Sequence, residues 1–527
     1  MILTGIENWW RIARLAVGIA ILSGTTASPA WAEWHRAESD RFIVYSDGDE
    51  RILRDYVLKL EVFDRILRSQ TGLDINEAPP RKLPIYLVGR HSGLEQVRPG
   101  ISENIAGFYS ATPDDIFAIG IRTRREDFVL LHEYAHHFML QNFAYGYPAW
   151  LVEGFAEYYM TAEIEPNRAT FGKFNESRAS WLTGGQWLPL ADLLTQRPDQ
   201  IQRHGETYYP LAWLVTHWFM SDSGRKAALM RYMLDVGQGA DPVEAMESVT
   251  GLTIPELEQT LRLYVRGNLQ YSGFRFDFPR SPVVLTTLPP SADDLLLLNQ
   301  RLKMGVRDDD RQTVLDEVRR LAGLHGDDPF ARRILARVEI TMGDRATGEA
   351  ILRALIARDP EDVEALQLMA RSRLEATDDP ISDDDGTSSG IQDAMGYLRQ
   401  AYAIDPENYL TLYLLSQVRQ QAPGYPTDND ITTLAEAYRL APQLDAVRFA
   451  AAQALMYRDR NADAINLLLP VANAPHGGGA AALARNLIRR AQGGQSGPDE
   501  ALEESGDVSG ITTPAHVQSG DFPALTR

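Results

Sequence analysis

Two histidines four residues apart enclose a glutamate in His132-Glu133-Tyr134-Ala135-His136, and seventeen residues after the second histidine stands Glu153. On a helix of 3.6 residues per turn, positions i and i+4 share one face, so both imidazoles reach one cation. Glu153, on a following helix, completes a His-His-Glu set and leaves a fourth position open for water. One Zn2+ held in this way brings the pKa of that water toward about 7. Glu133 sits one position round the helix, too far to ligate easily but able to take the water's proton as it attacks a carbonyl. Glu157, one turn beyond Glu153, is spaced to hydrogen-bond a ligating imidazole from outside and so fix its tautomer.

The competing reading is a surface helix whose glutamate makes ordinary ion pairs. Leu130, Leu131, Tyr134, Phe138 and Met139 argue against it, because they make the helix a buried one, and a buried His-Glu-His set needs partners. His137 falls on another face and reads as a neighbour rather than a ligand. His217 and Trp218 read as core or helix-surface residues.

The segment Trp150-Leu151-Val152-Glu153-Gly154-Phe155-Ala156-Glu157-Tyr158, together with His132 to His136, resembles the gluzincin zinc metallopeptidases, the group of thermolysin and the zinc aminopeptidases. It is particularly similar to the exported peptidase MA-like proteins, many of which carry helical repeats. The resemblance is good from His132 to about Tyr159 and loose over the rest of residues 34 to 271. It implies that His132, His136 and Glu153 bind zinc, that Glu133 is the general base, and that Glu157 orients a ligand histidine. It also implies a mixed sheet beside the active-site helix. An edge strand of that sheet, within Ala106 to Ala111 or Ile116 to Gly120, would pair with an extended peptide. The third ligand comes somewhat closer to the second histidine than in the best-known members. No aminopeptidase-type Gly-Ala-Met-Glu-Asn segment is present, which favours an endopeptidase. A donor to the oxyanion is also required. Glu206-Thr207-Tyr208-Tyr209-Pro210 lies at a distance from the zinc motif similar to that of the oxyanion tyrosine in related aminopeptidases, and that resemblance makes Tyr208 the first candidate, Tyr209 the second and His204 the third. The alternative is that these tyrosines pack beside Trp213.

The elements that must position these residues follow from periodicity. Arg41 to Ser46 and Lys82 to Val88 read as strands, and Leu53, Val57, Leu60, Phe63 and Leu67 mark a helix between them. Phe108-Tyr109, Pro113-Asp114-Asp115 and Ile116 to Ile119 read as strand, turn and strand. From Arg124 the period is helical, with Trp150 to Thr161 as a second helix and a helical stretch from Tyr208 to Tyr271. The expected fold is an α+β zinc metallopeptidase-like domain over residues 33–275, followed by an all-α helical-repeat solenoid.

Beyond a linker at 276–290, Pro329, Pro360, Pro406 and Pro442 each open a new helical segment. Small residues recur around them: Ala370, Ser416 and Ala452 lie ten residues after a proline, Ala401 and Ala437 five before one. This pattern, over 291–492, resembles a degenerate tetratricopeptide array. Glu339 takes a position where the first unit should be small, and Asp378 to Gly390 reads as an acidic loop. Such an array presents a concave surface to a protein partner or substrate, or serves only as a packing platform. The tail, 493–527, has the composition of a disordered segment.

A formal net charge of -20 argues against nucleic acid, since nothing neutralises phosphates. Arg11 and Arg14, the apolar run Leu15 to Gly24 and Ala30-Trp31-Ala32 read as a cleaved signal peptide over 1–32. No later stretch reaches transmembrane length, and the chain has no cysteine. The expectation is an exported, periplasmic or secreted zinc metallopeptidase acting on a peptide or protein. Two alternatives are a protein-binding scaffold that keeps a zinc site and a zinc hydrolase of a non-peptide substrate.

Overall fold

The computed structural model describes residues 33–122, 128–375 and 386–493. The expected signal segment, the tail from 494 and the start of the acidic loop lie outside the described residues. The chain opens with β1 (His35–Glu38), β2 (Phe42–Ser46), α1 (Glu50–Thr71), β3 (Leu83–Val88), α2 (His91–Val97), β4 (Gly107–Thr112) and β5 (Asp115–Ile121). In β2 the alternation seen in the sequence is real: Phe42, Val44 and Ser46 are buried and the residues between them half-buried. The helices α3 (Phe128–Asn142) and α4 (Ala149–Met160) follow. Next come β6 (Glu163–Glu165), β7 (Arg168–Phe171), α5 (Glu176–Gly184), α6 (Leu190–Thr195), α7 (Tyr208–Met220), α8 (Ser223–Gly237), α9 (Pro242–Thr250), α10 (Ile254–Tyr264), β8 (Ser272–Arg275) and β9 (Val284–Thr287).

Six strands form a mixed sheet in the order β4-β5-β3-β2-β1-β9, parallel at β2/β3 and β3/β5 and antiparallel elsewhere. β4 is therefore an edge strand and β5 an interior one, which decides between the two edge candidates. β6, β7 and β8 make a small second sheet. The 276–290 stretch, expected as a linker, contributes β9 to the main sheet beside β1. Both strands are short and carry little apolar alternation, so periodicity did not mark them. The buried side of α1, with Leu53, Val57, Leu60 and Phe63, shares one core with Phe42, Val44, Ile85 and α3. On the other side Trp34, Tyr86, Phe117 and Ile119 pack with Leu94 of α2 and with Ala292, Leu296 and Leu297.

Those last residues belong to the helical repeats: α11 (Ser291–Met304), α12 (Arg311–Gly323), α13 (Pro329–Met342), α14 (Arg345–Arg358), α15 (Val363–Glu375), α16 (Gly386–Ile404), α17 (Tyr409–Gln420), α18 (Asp428–Leu440), α19 (Asp445–Tyr457), α20 (Asn461–Ala472) and α21 (Gly478–Gly493). Pro329 is the first residue of α13, and Pro360, Pro406 and Pro442 lie in the turns just before α15, α17 and α19. Ala370, Ala401, Ser416, Ala437 and Ala452 are all buried. Glu339 replaces a small residue at a cost offset by Arg319 from α12, whose Nε lies 2.7 Å from its carboxylate, and by the Asp344 backbone N–H at 2.9 Å. The end of the expected acidic loop, from Gly386, is already helical.

The first helix of each pair faces the sheet domain. The turn of the β4–β5 hairpin enters this inner face. Asp114 lies 3.0 Å from Arg371 and 3.4 Å from Arg337, while Asp115 lies 2.6 Å from Arg81 and 3.2 Å from Lys303. The Tyr409 hydroxyl donates to the Pro113 carbonyl at 3.1 Å. The chain's own hairpin thus fills a surface that the repeat pattern suggested for a partner. Among the described residues no helix is long and apolar enough to cross a membrane.

Candidate metal centre

Helix α3 is pinned on the side away from its histidine pair. The Tyr134 hydroxyl donates to Asp64 of α1 at 2.6 Å, and its ring centroid lies 5.1 Å from Phe42 and 5.9 Å from Phe63. Asp64 in turn sits 2.6 Å from Arg41 and 2.9 Å from Arg68. His137 meets the Tyr109 hydroxyl of β4 at 3.1 Å, and burial pushes it down to about 3, so it is a neutral link between helix and strand. It is a neighbour of the site, as helix geometry predicts.

Helix α4 is brought in by its glycine. A Cβ on Gly154 would stand 2.3 Å from Thr216 Oγ1 and 2.6 Å from the Ala212 carbonyl, so α4 and α7 approach more closely than any side chain allows. Trp150 anchors the start of α4 through Nε1 donating to the Tyr232 hydroxyl at 3.2 Å. These packings turn Glu153 and Glu157 toward α3.

His132 Nε2 and His136 Nε2 are 3.0 Å apart, and Glu153 Oε2 lies 3.4 Å from the first and 3.5 Å from the second. Tetrahedral zinc with bonds of about 2.0–2.1 Å places its ligand atoms about 3.3 Å from one another. The triangle has that size. Glu153 is fully buried, yet neither of its oxygens has a partner in hydrogen-bonding geometry, and the outer nitrogens of both histidines also lack one. Orphaned groups at such depth are costly unless something satisfies them. Among the described residues these three form the one cluster of histidine and acidic side chains close enough to hold an ion. The donor set therefore fits zinc.

The four groups also shift one another's charge. Burial opposes the charge on Glu153, but His136, His132 and His476 outweigh it and hold its carboxyl well below the usual range. Burial drives His132 toward the neutral form, whereas at His136 the attraction of Glu153 overcomes burial. Burial lifts Glu133 to about 7, with His136 pulling against it. Glu157 Oε1 stands 3.4 Å from His132 Nδ1, the position from which it can hold that ring.

Glu133, His136 and Glu153 line a cleft of about 200 Å3. Tyr109, Ser110 and Ala111 of β4 lie along it, and Met139, Phe143 and Val152 make it apolar. The repeats supply further lining from Pro442 and Gln443, and from the Asn473–Gly477 loop between α20 and α21. No protein-family model and no curated protein matches the sequence. A solved structure of a thermophilic TPR protein in Thermus thermophilus aligns at 17% identity, covering 38% of this chain and 99% of its own, with a TM-score of 0.33. A likeness at that score carries no weight for fold or function.

The expected oxyanion donor is not where the sequence suggested. Tyr208 is fully buried and its hydroxyl donates to the Gln196 carbonyl at 3.1 Å. Adjacent helical residues project about 100° apart, and it is Tyr209 whose hydroxyl reaches the site's margin, 3.3 Å from His476 Nε2. His204 stands in a left-handed turn with φ 59°, its ring 3.8 Å from Glu206. His217 is core, 2.9 Å from the Tyr264 hydroxyl. The residue that sequence reasoning missed is His476, whose Nε2 lies 3.3 Å from Glu153 Oε1. Its only local signal is a histidine in the turn Asn473-Ala474-Pro475-His476-Gly477, about 340 residues after His136.

Proposed function

We propose that this protein is a zinc-dependent metallopeptidase of gluzincin type that cleaves extended peptide segments, and that its N-terminal export signal places the activity outside the cytoplasm. The observation that carries the reading is the triangle of His132, His136 and Glu153, whose size suits tetrahedral zinc, with the buried carboxylate of Glu133 in the same cleft. His132, His136 and Glu153 would hold the ion. Bound zinc would polarise the scissile carbonyl and acidify water.

Glu133 would take the proton as the water oxygen adds to the carbonyl carbon. It would then deliver that proton to the leaving nitrogen as the C–N bond breaks, giving a carboxylate and an amine. Its elevated affinity for a proton, produced by burial, suits both transfers. The edge strand β4 would pair with the substrate backbone, and Ser110 there has a buried hydroxyl oxygen without a partner. Met139, Phe143 and Val152 would receive apolar side chains. A separate protein partner would have to use the surfaces that the sheet domain leaves to the repeats, chiefly the outer helices.

The test is a pair of proteins, wild type and Glu133→Gln, each loaded with zinc and offered an unstructured protein substrate. We expect equal zinc content, equal thermal midpoint, and a fall in kcat of about 10³-fold. Cleavage that survives unchanged in Glu133→Gln would overturn the mechanism.

A further inference from the structure

The hydrolytic centre described above contains a base, but Tyr208 cannot serve as its oxyanion donor, because its hydroxyl is committed to the Gln196 carbonyl. The structure brings one from elsewhere. His476, at the far end of the helical repeats, lines the same cleft as Glu133 and His136. Its Nε2 stands 3.3 Å from Glu153 Oε1, the oxygen of that carboxylate other than the one nearest the histidine pair. The ring is placed beside the ion site without belonging to the ligand cluster.

The loop that carries it is clamped. Asn473 Nδ2 donates to the Gly146 carbonyl at 2.7 Å, tying the loop to the segment that leads into α4. The Ala472 carbonyl accepts from Arg485 at 3.0 Å and from Arg197 of the sheet domain at 3.4 Å. A Cβ on Gly477 would lie 2.5 Å from that of Ala481, and one on Gly146 would lie 2.7 Å from Leu469 Cβ. The first approach tightens the turn itself, and the second brings the end of α20 against the segment that leads into α4. A preorganised donor needs such a setting, because its orientation is fixed before the substrate arrives. His476 Nε2 lies 3.3 Å from the Tyr209 hydroxyl oxygen and 3.3 Å from Glu153 Oε1, so the tautomer with hydrogen on Nε2 presents a donor beside the ion site.

We propose that His476 is a catalytic residue contributed by the repeats: its Nε2–H donates to the carbonyl oxygen of the scissile peptide as negative charge develops there. Tyr209 positions the ring. The repeats are then part of the active site rather than an appended module, and the chain's two halves are needed for one reaction. This inference rests on the zinc-peptidase reading.

The test uses the full chain as wild type, His476→Ala and His476→Gln, loaded with zinc or with cobalt. The first readout is binding of a phosphinic peptide, whose tetrahedral P–O⁻ mimics the attacked carbonyl, compared with the matching uncleaved peptide on the Glu133→Gln background. His476→Ala is expected to weaken the phosphinic peptide about 100-fold and to leave the uncleaved peptide within about twofold. Metal content and the cobalt absorption spectrum should not change, kcat should fall with KM steady, and His476→Gln should recover part of both losses. A cobalt spectrum altered by His476→Ala would make the residue a metal ligand and overturn the proposal. Equal weakening of both peptides would make it only a wall of the cleft, with the same consequence. If cleavage depends on Glu133 while His476→Ala keeps full kcat and phosphinate affinity, this inference alone fails. If wild type neither binds the phosphinic peptide nor cleaves, the zinc-peptidase reading fails and takes the inference with it.

Discussion

The two ends of the repeats' inner face meet the sheet domain in opposite ways. At the α11–α17 end the contact is ionic: Asp114 and Asp115 of the hairpin turn are held among Arg81, Lys303, Arg337 and Arg371, around a polar cavity of about 270 Å3. At the α19–α21 end neutral hydrogen bonds such as Asn473 to the Gly146 carbonyl and Gln443 to Gln141 surround an apolar cleft over His136, Glu133 and Glu153. One strand joins them, since β4 runs from the clamped turn along the open cleft. The ionic contact at one end thus fixes the strand whose Tyr109, Ser110 and Ala111 line the cleft at the other. Ion pairing and the proposed chemistry occupy different stretches of the same face.

That division can be broken from either side. The largest effect on stability is expected from Asp114→Asn, which removes the carboxylate paired with Arg371 and leaves Arg337 with Glu364 alone. Loss of about 3 kcal/mol in urea unfolding is expected, with a raised KM as β4 loosens. Burial favours the protonated form of Asp114, but Arg371 and Arg337 outweigh it and bring its carboxyl down to about 2. With an unfolded value of about 3.9, the group's contribution of about 2–3 kcal/mol is complete above about pH 4–5 and is lost as pH falls through about 2. Acid unfolding of wild type should show that loss, and Asp114→Asn should not.

At the cleft end, Glu157→Gln should weaken zinc about 10–100-fold while the fold stays intact, because the group orients His132 without ligating. Chelator competition measures it. An unchanged zinc affinity would detach Glu157 from the site. The smallest effect is expected from Tyr208→Phe, which removes a hydroxyl bound to the Gln196 carbonyl: about 1 kcal/mol of stability and kcat within about twofold. A large fall in kcat would restore Tyr208 as the oxyanion donor and displace His476.

The clustering of His132, Glu133, His136, Glu153 and Glu157 was readable in sequence because it is local. The five side chains come from two successive helices, and their directions follow from helical spacing. Which tyrosine hydroxyl lies nearer the cleft was not readable, because one residue, Tyr208 against Tyr209, means another face of α7. The repeats were readable as helices, through prolines at the heads of α13, α15, α17 and α19 and the buried small residues around them. What they enclose was not. That Asp114 meets Arg371, or His476 meets Glu153, depends on the accumulated curl of the whole array, and no short segment encodes it. β9 was missed for a related reason: its identity as a strand comes from pairing with β1 rather than from its own pattern.

The central claim is that His132, His136 and Glu153 hold one zinc. X-ray absorption at the zinc edge on the purified full chain tests it most directly, with metal content measured on His136→Ala in parallel. The account predicts about one zinc per chain, with a shell of two imidazole nitrogens and carboxylate oxygen, and its loss in the variant. A chain that binds no zinc, or zinc retained in His136→Ala with an unchanged spectrum, would contradict it.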